Sequence, residues 1–312
     1  MQFPVFDLAA FEASEGEARQ ALARTLDTIL GETGFLVLRG HGVPEALTEA
    51  VWDAAGAFFA LPPEVKAKSA PPRPGAPYGW LGPNVEALAA SKGEDTPPDL
   101  KESFNGGPQA VPDGMTDPEA VASVYQPTPW PDLPGFRPAW QAYYAAMEDL
   151  ANRVMVAFAA ALNLPEDYFV PLIDAPISAL RALQYPATIG QPLDKQQRAG
   201  AHTDYGSLTI LMPQPHSRGL EVMTGGDWVE VPAEPGAFVI NIGDLMARWT
   251  ADRWVSTLHR VVAKPDQPAR RSLAFFHQPN WAAEIVPLDG SDAYPPVLSG
   301  PYLMEKFRAT GR

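Results

Sequence analysis

From Ile177 onward the chain is built of short apolar runs separated by Gly, Pro, Asn and Asp turn signals, and this texture predicts a β-sandwich or barrel. Its clearest unit is a hairpin. Leu220–Met223 and Trp228–Val231 alternate on both arms, and the Gly225-Gly226 pair between them supplies the positive φ that a tight turn needs. Ala237–Ile242, Ser256–Val262 and Arg271–Phe276 read as further strands. Just upstream, Trp140, Tyr144, Met147, Leu150, Val154, Phe158 and Leu162 recur in steps of three and four. That stripe predicts one helix from about Pro138 to Leu162, stopped by Pro165, with an apolar face to bury and no chemistry of its own. A β core braced by helices follows: mainly β with flanking helices, α+β.

The first half is less uniform. Pro4–Leu8 and Gly34–Leu38 read as strands, and a helix is expected from about Glu17, capped at Gly31, burying Ala21, Leu22, Thr25, Leu26 and Ile29. A second helix starts at Pro44. Residues 62–135 are dense in Pro and Gly, and their aromatics (Tyr78, Trp80, Phe104) point to an ordered cover over the core. We therefore expect an N-terminal mixed α/β region with its cover at 1–125 and a long helix plus β core at 126–312, its motifs lying at about 177–282, the two acting as one unit.

Composition excludes several chemistries. With no cysteine, the chain has no disulfide, zinc–thiolate site, iron–sulfur cluster or thiol nucleophile. A net charge of −14 argues against nucleic acid or an anionic membrane surface as partner. The longest apolar stretch, near Val154–Leu164, is too short to span a bilayer, and no signal peptide is visible, so a soluble cytoplasmic location is expected.

His202 and Asp204 stand two apart before an apolar run, and on a strand residues i and i+2 share a face. Alone, this His-x-Asp reads more readily as a polar turn than as a metal site. His259, in a later strand, adds a third ligand of the right kind. Two imidazoles and one carboxylate on one face of an ion form the facial triad of non-heme Fe(II) oxygenases, although zinc hydrolases use the same ligand types. Behind His259, Arg270 and Ser272 share a strand face, and a guanidinium fork beside a hydroxyl is a carboxylate grip. Of the remaining histidines, His41 reads as a turn residue, His216 as solvated, and His277 as a pocket-rim or surface group.

These blocks resemble the isopenicillin N synthase-like branch of the Fe(II)/2-oxoglutarate-dependent dioxygenases. The similarity runs through Leu180–Pro186, His202-Thr203-Asp204, Gly219–Val222, Pro235–Asp244, Leu258–Val262 and Arg270–Phe276, and extends to Phe3–Leu8, Gly40–Pro44 and Lys101–Phe104. The resemblance implies a double-stranded β-helix (jelly-roll) core, with Fe(II) on His202, Asp204 and His259. Arg270, Ser272 and Tyr185 would hold 2-oxoglutarate as cosubstrate, with O2 as oxidant. It further implies oxidation of a C–H bond of a small molecule, usually hydroxylation, with release of succinate and CO2. Leu183 stands where plant members often carry Asn, and Arg181 on the same face would replace its hydrogen bond. Arg181, Tyr78, Trp80 and Phe104 are the expected substrate contacts. Two alternatives stay open: an iron oxidase of the branch that does not use 2-oxoglutarate, and a non-catalytic jelly-roll binding protein.

Overall fold

Strand alternation in the second half of the chain produces two sheets packed face to face. The computed structural model describes residues 3–309. Four strands come from the N-terminal part: β1 (Val5–Asp7), β2 (Phe35–Arg39), β3 (Gly79–Leu81) and β4 (Glu102–Gly106). Eight more follow: β5 (Ala179–Tyr185), β6 (Ala199–His202), β7 (Leu208–Pro213), β8 (Leu220–Thr224), β9 (Asp227–Glu230), β10 (Phe238–Ile242), β11 (His259–Val261) and β12 (Arg270–His277). An eight-stranded sheet has the order β1-β2-β10-β7-β12-β5-β4-β3, and a four-stranded sheet the order β6-β11-β8-β9. The core is a jelly roll, mainly β with flanking helices.

Side-chain parity assigns each face of the larger sheet its role. On β12, Leu273 and Phe275 join the main core, while Ala274 packs in a second core with Leu183 and Tyr185 of β5, Val239 of β10, and Val222 and Val261 of the smaller sheet. The space between the sheets is thus lined by one set of alternate residues. The other set meets the helices. The helix Phe136–Ala161 lies against this outer face, where Tyr144 meets Phe275 edge-on with centroids 5.2 Å apart. The stripe read from sequence is this contact.

Three local expectations need correction. The helix Gly16–Glu32 runs through Gly31, which is small because the Arg253 carbonyl passes 3.2 Å from where a Cβ would sit. The turn falls instead at Gly34, where φ is +62° and a Cβ would lie 1.9 Å from the Val255 carbonyl. That helix buries Ala23, Leu26 and Leu30, leaving Ala21 and Thr25 exposed. Finally, the strand expected over Ser256–Val262 is confined to His259–Val261, because Thr257 turns its hydroxyl to the Thr33 carbonyl, 2.7 Å away.

Strands β3 and β4, from the proline-rich section, pair with each other and then with β5, so the cover is part of the larger sheet. Phe275 is fully buried, and Phe275→Ala should cost about 3–5 kcal/mol of stability in urea unfolding. Ile189→Ser, at a position 96% exposed, should change it by less than about 0.5 kcal/mol.

Candidate metal centre and carboxylate pocket

His202 ends β6, and His259 begins β11 directly opposite it in the antiparallel register. Their ring centroids are therefore 4.3 Å apart. Asp204 lies beyond the strand, where the chain leaves the smaller sheet for β7 in the larger one. Leu208–Leu211, the apolar run after this pair, consequently does not continue the strand of His202 but faces it from the opposite sheet. The corner is fixed by the Asp244 amide, which donates to the Asp204 carbonyl at 2.8 Å. One ligand atom from each of His202, Asp204 and His259 lies within 4.8 Å of the others, and both imidazole Nε2 atoms are 3.8 Å from Asp204 Oδ1.

Each group is oriented by its spare atom. His202 Nδ1 donates to the Gly200 carbonyl at 2.7 Å and His259 Nδ1 to the Thr257 carbonyl at 3.1 Å, leaving both Nε2 lone pairs free. Asp204 Oδ2 accepts from Thr209 Oγ1 at 2.6 Å and Asn241 Nδ2 at 2.8 Å, leaving Oδ1 free. Burial, and then the neighbouring His259, hold the His202 imidazole well below its ordinary value, so it is the neutral form that ligates. Burial pushes the Asp204 carboxyl up, but His259, His202 and its two hydrogen bonds outweigh this and keep it ionised. Two imidazole nitrogens and one carboxylate oxygen converging from one side suit Fe(II) and leave the opposite side open.

Arg270 and Ser272 of β12 point between the sheets with Tyr185, which is Arg270's register partner on β5. The guanidinium carbon is 5.0 Å from the Tyr185 ring centroid. Arg270 is only 4% exposed, yet it makes no ion pair among the described residues. Its Nη1 reaches the Arg218 carbonyl at 3.4 Å, and its Nε has no partner. Burial accordingly pulls its pKa down. A buried cation without a counter-charge is costly, and a ligand carboxylate is the group that would balance it.

Of the expected substrate contacts, Arg181 does face the interior, where its Nη2 pairs with Glu86 and donates to Ser103 Oγ at 2.9 Å. The three aromatics do not. Phe104 is opposite Ala182 in the register and so points to the helices, packing on Phe58, Phe136 and Trp140. Trp80, opposite Phe104, shares that face and donates its indole N–H to Glu102 at 2.7 Å. Tyr78 donates its hydroxyl to the Val124 carbonyl at 2.6 Å and lies against Gly107. The inward residues of β4 are Ser103 and Asn105, the partners of Leu183 and Arg181. Aromatic content drew attention to one parity, and the site uses the other.

His41 is the turn residue expected, its Nε2 3.0 Å from the Gly236 carbonyl and its ring 4.3 Å from Phe238. His216 is exposed. His277 is neither at a rim nor on the surface. It shares the outward parity of Phe275, is fully buried beside Ser207 Oγ at 3.0 Å, and is lowered by burial to about 4. Thr209 and Asn241 were missed. A polar residue at the inward parity of an otherwise apolar strand, as in Phe238–Ile242, was the available signal.

Comparison with known proteins shows the family of the chain. Residues 176–279 match the model of the 2OG-Fe(II) oxygenase superfamily, and residues 3–133 match that of the non-haem dioxygenase in morphine synthesis N-terminal region. Validamycin A dioxygenase of Streptomyces hygroscopicus subsp. limoneus is 36% identical over 97% of this chain and 85% of its own length. Proline hydroxylase buaE of Petromyces alliaceus is 33% identical over 86% and 84%. Among solved structures, a full-length Neurospora crassa protein in complex with alpha-KG and thymine superposes with a TM-score of 0.84 at 29% identity, covering 99% of this chain and 96% of that one. With both its core and its N-terminal region matched, the chain belongs to the Fe(II)/2-oxoglutarate-dependent dioxygenases of the isopenicillin N synthase-like type.

Proposed function

We propose that His202, Asp204 and His259 hold the Fe(II) of this dioxygenase, that Arg270, Ser272 and Tyr185 hold the distal carboxylate of 2-oxoglutarate, and that the enzyme hydroxylates a small polar molecule. The observation that carries this reading is the buried, uncompensated Arg270 guanidinium sharing the intersheet space with the three convergent ligands.

When bound, the iron with 2-oxoglutarate and O2 supplies the oxidising power that converts C–H to C–OH, with release of succinate and CO2. The protein's own residues do the rest. Arg270 donates from two nitrogens and supplies the compensating charge, and Ser272 adds a hydroxyl at the same carboxylate. Tyr185, buried beside them, closes that end. Asn241 and Thr209 keep Asp204 turned to the metal. Phe35, edge-on to His259 at 5.2 Å, and Val239 present an apolar wall that excludes water. Arg181, Ser103 and Asn105 share the inward parity of β5 and β4, and these polar groups on the intersheet side support a polar substrate. Validamycin A, proline and thymine, named for the relatives, are molecules of that kind and support the reading. The charge of −14 supports a small molecule over nucleic acid, and no described helix is long and apolar enough to cross a membrane. Pairing of β4 with β5 supports the two regions working as one unit.

Anaerobic Fe(II) and 2-oxoglutarate should give a weak visible charge-transfer band. Arg270→Ala should raise the 2-oxoglutarate concentration needed for it by about 10–100-fold, the equivalent of about 1.5–3 kcal/mol for hydrogen bonds to a charged group. Intact iron binding with no band would instead favour the oxidase alternative, and no iron binding the binding-protein alternative. Asn241→Ala should weaken Fe(II) binding about 10–100-fold in an anaerobic titration, while leaving the 2-oxoglutarate dependence at saturating iron nearly unchanged.

A further inference from the structure

Strand β6 is an edge of the smaller sheet, and no backbone ladder joins it to the larger one. The gap is filled by residues 86–101. The turn Leu88–Lys92 lies so close to β6 that a Cβ on Gly200 would come 2.7 Å from the Ala89 nitrogen. Through the same gap runs a chain of four charges, of which Asp99, Lys101 and Arg181 are buried and Glu86 is half-buried. Asp99 accepts from Lys101 Nζ at 2.8 Å, Lys101 stands 3.6 Å from Glu86, and Glu86 pairs with Arg181 on β5. Asp99 and Lys101 are 1% and 3% exposed.

The chain ends at the metal centre. Asp99 Oδ1 accepts the Gly200 N–H at 2.9 Å, and the Gly200 carbonyl accepts His202 Nδ1 at 2.7 Å. Both polar backbone atoms of Gly200 are thereby committed, one to the carboxylate and one to the ligand. Glycine, which the contact with Ala89 requires, contributes no side chain to hold itself in place. A buried ion chain is weak as plain reinforcement, because desolvation offsets most of its attraction and an apolar plug would fill the gap as well. What it adds is direction: a carboxylate balanced by an ammonium holds one N–H at a set position and angle.

We propose that Asp99 and Lys101 are positioning residues for His202, acting through Gly200, and that they set metal affinity without touching the metal. The proposal rests on His202 being an iron ligand. Lys66 supplies the control. It forms a comparably buried pair with Glu102 at 2.8 Å and donates to the Phe59 carbonyl, on the helix side of β4 away from the intersheet space.

The test titrates Co(II) anaerobically into full-length K101M, D99N, K66M and H202A, following the visible Co(II) spectrum, with a thermal melt of each. K101M and D99N should bind Co(II) about 10–100-fold more weakly than wild type with altered band positions, whereas K66M should lose thermal stability and keep wild-type affinity and spectrum. D99N preserves shape, so it carries the test if K101M fails to fold. Wild-type affinity and spectrum in D99N, or an equal loss in K66M, would overturn the proposal. Co(II) bound by H202A as tightly as by wild type would overturn the ligand assignment itself, and the proposal with it.

Discussion

The backbone register between β6 and β11 is the constraint on which the site depends. It sets His202 opposite His259 across one pair of strands, so the ladder that forms the sheet also brings the two imidazoles together. Everything else serves that pairing. Asp204 reaches the same point only because the chain turns out of the smaller sheet immediately after it. The Asp244 amide pins the turn, and two hydrogen bonds from the larger sheet aim the carboxylate. The candidate metal centre is therefore a seam between the sheets, with two of its side chains from one and the supports of the third from the other.

Parity links that seam to stability. On β12 the residues that pack under the long helix and those that line the site interleave one by one, Arg270 and Ser272 inward, Leu273 and Phe275 outward. A slip of one residue would turn Leu273 and Phe275 into the intersheet space and Arg270 and Ser272 onto the helix face. Core packing thus enforces the geometry of the pocket, and the helix Phe136–Ala161 contributes to the site without approaching it.

Much of this was legible in the sequence because the chemistry sits at short spacings. His202, Asp204, His259, Arg270 and Ser272 are identifiable by type and interval, and the hairpin and helical stripe by period. What failed to read was whatever depended on a distant partner. The face of Phe104 and Trp80 is set by pairing with β5, which is remote in sequence. Gly31 resembled a helix cap, but its need for smallness comes from Arg253, and the real turn is set at Gly34 by Val255. The burial of His277 follows from the outward parity it shares with Phe275, one position past where the apolar run stops. Asp99 carries no signal in the sequence and Lys101 only its place in the Lys101–Phe104 block, and the fold reveals that both are buried.

Arg270 gives the protein an unusual relation to its small-molecule partner. The folded chain carries a desolvated guanidinium that no acid among the described residues neutralises. The unfolded chain has no such penalty, since its guanidinium is fully hydrated. A dicarboxylate that binds only the folded form removes the imbalance and shifts the folding equilibrium by mass action. On the role proposed for Arg270, 2-oxoglutarate therefore adds to the stability of the fold as well as taking part in the reaction.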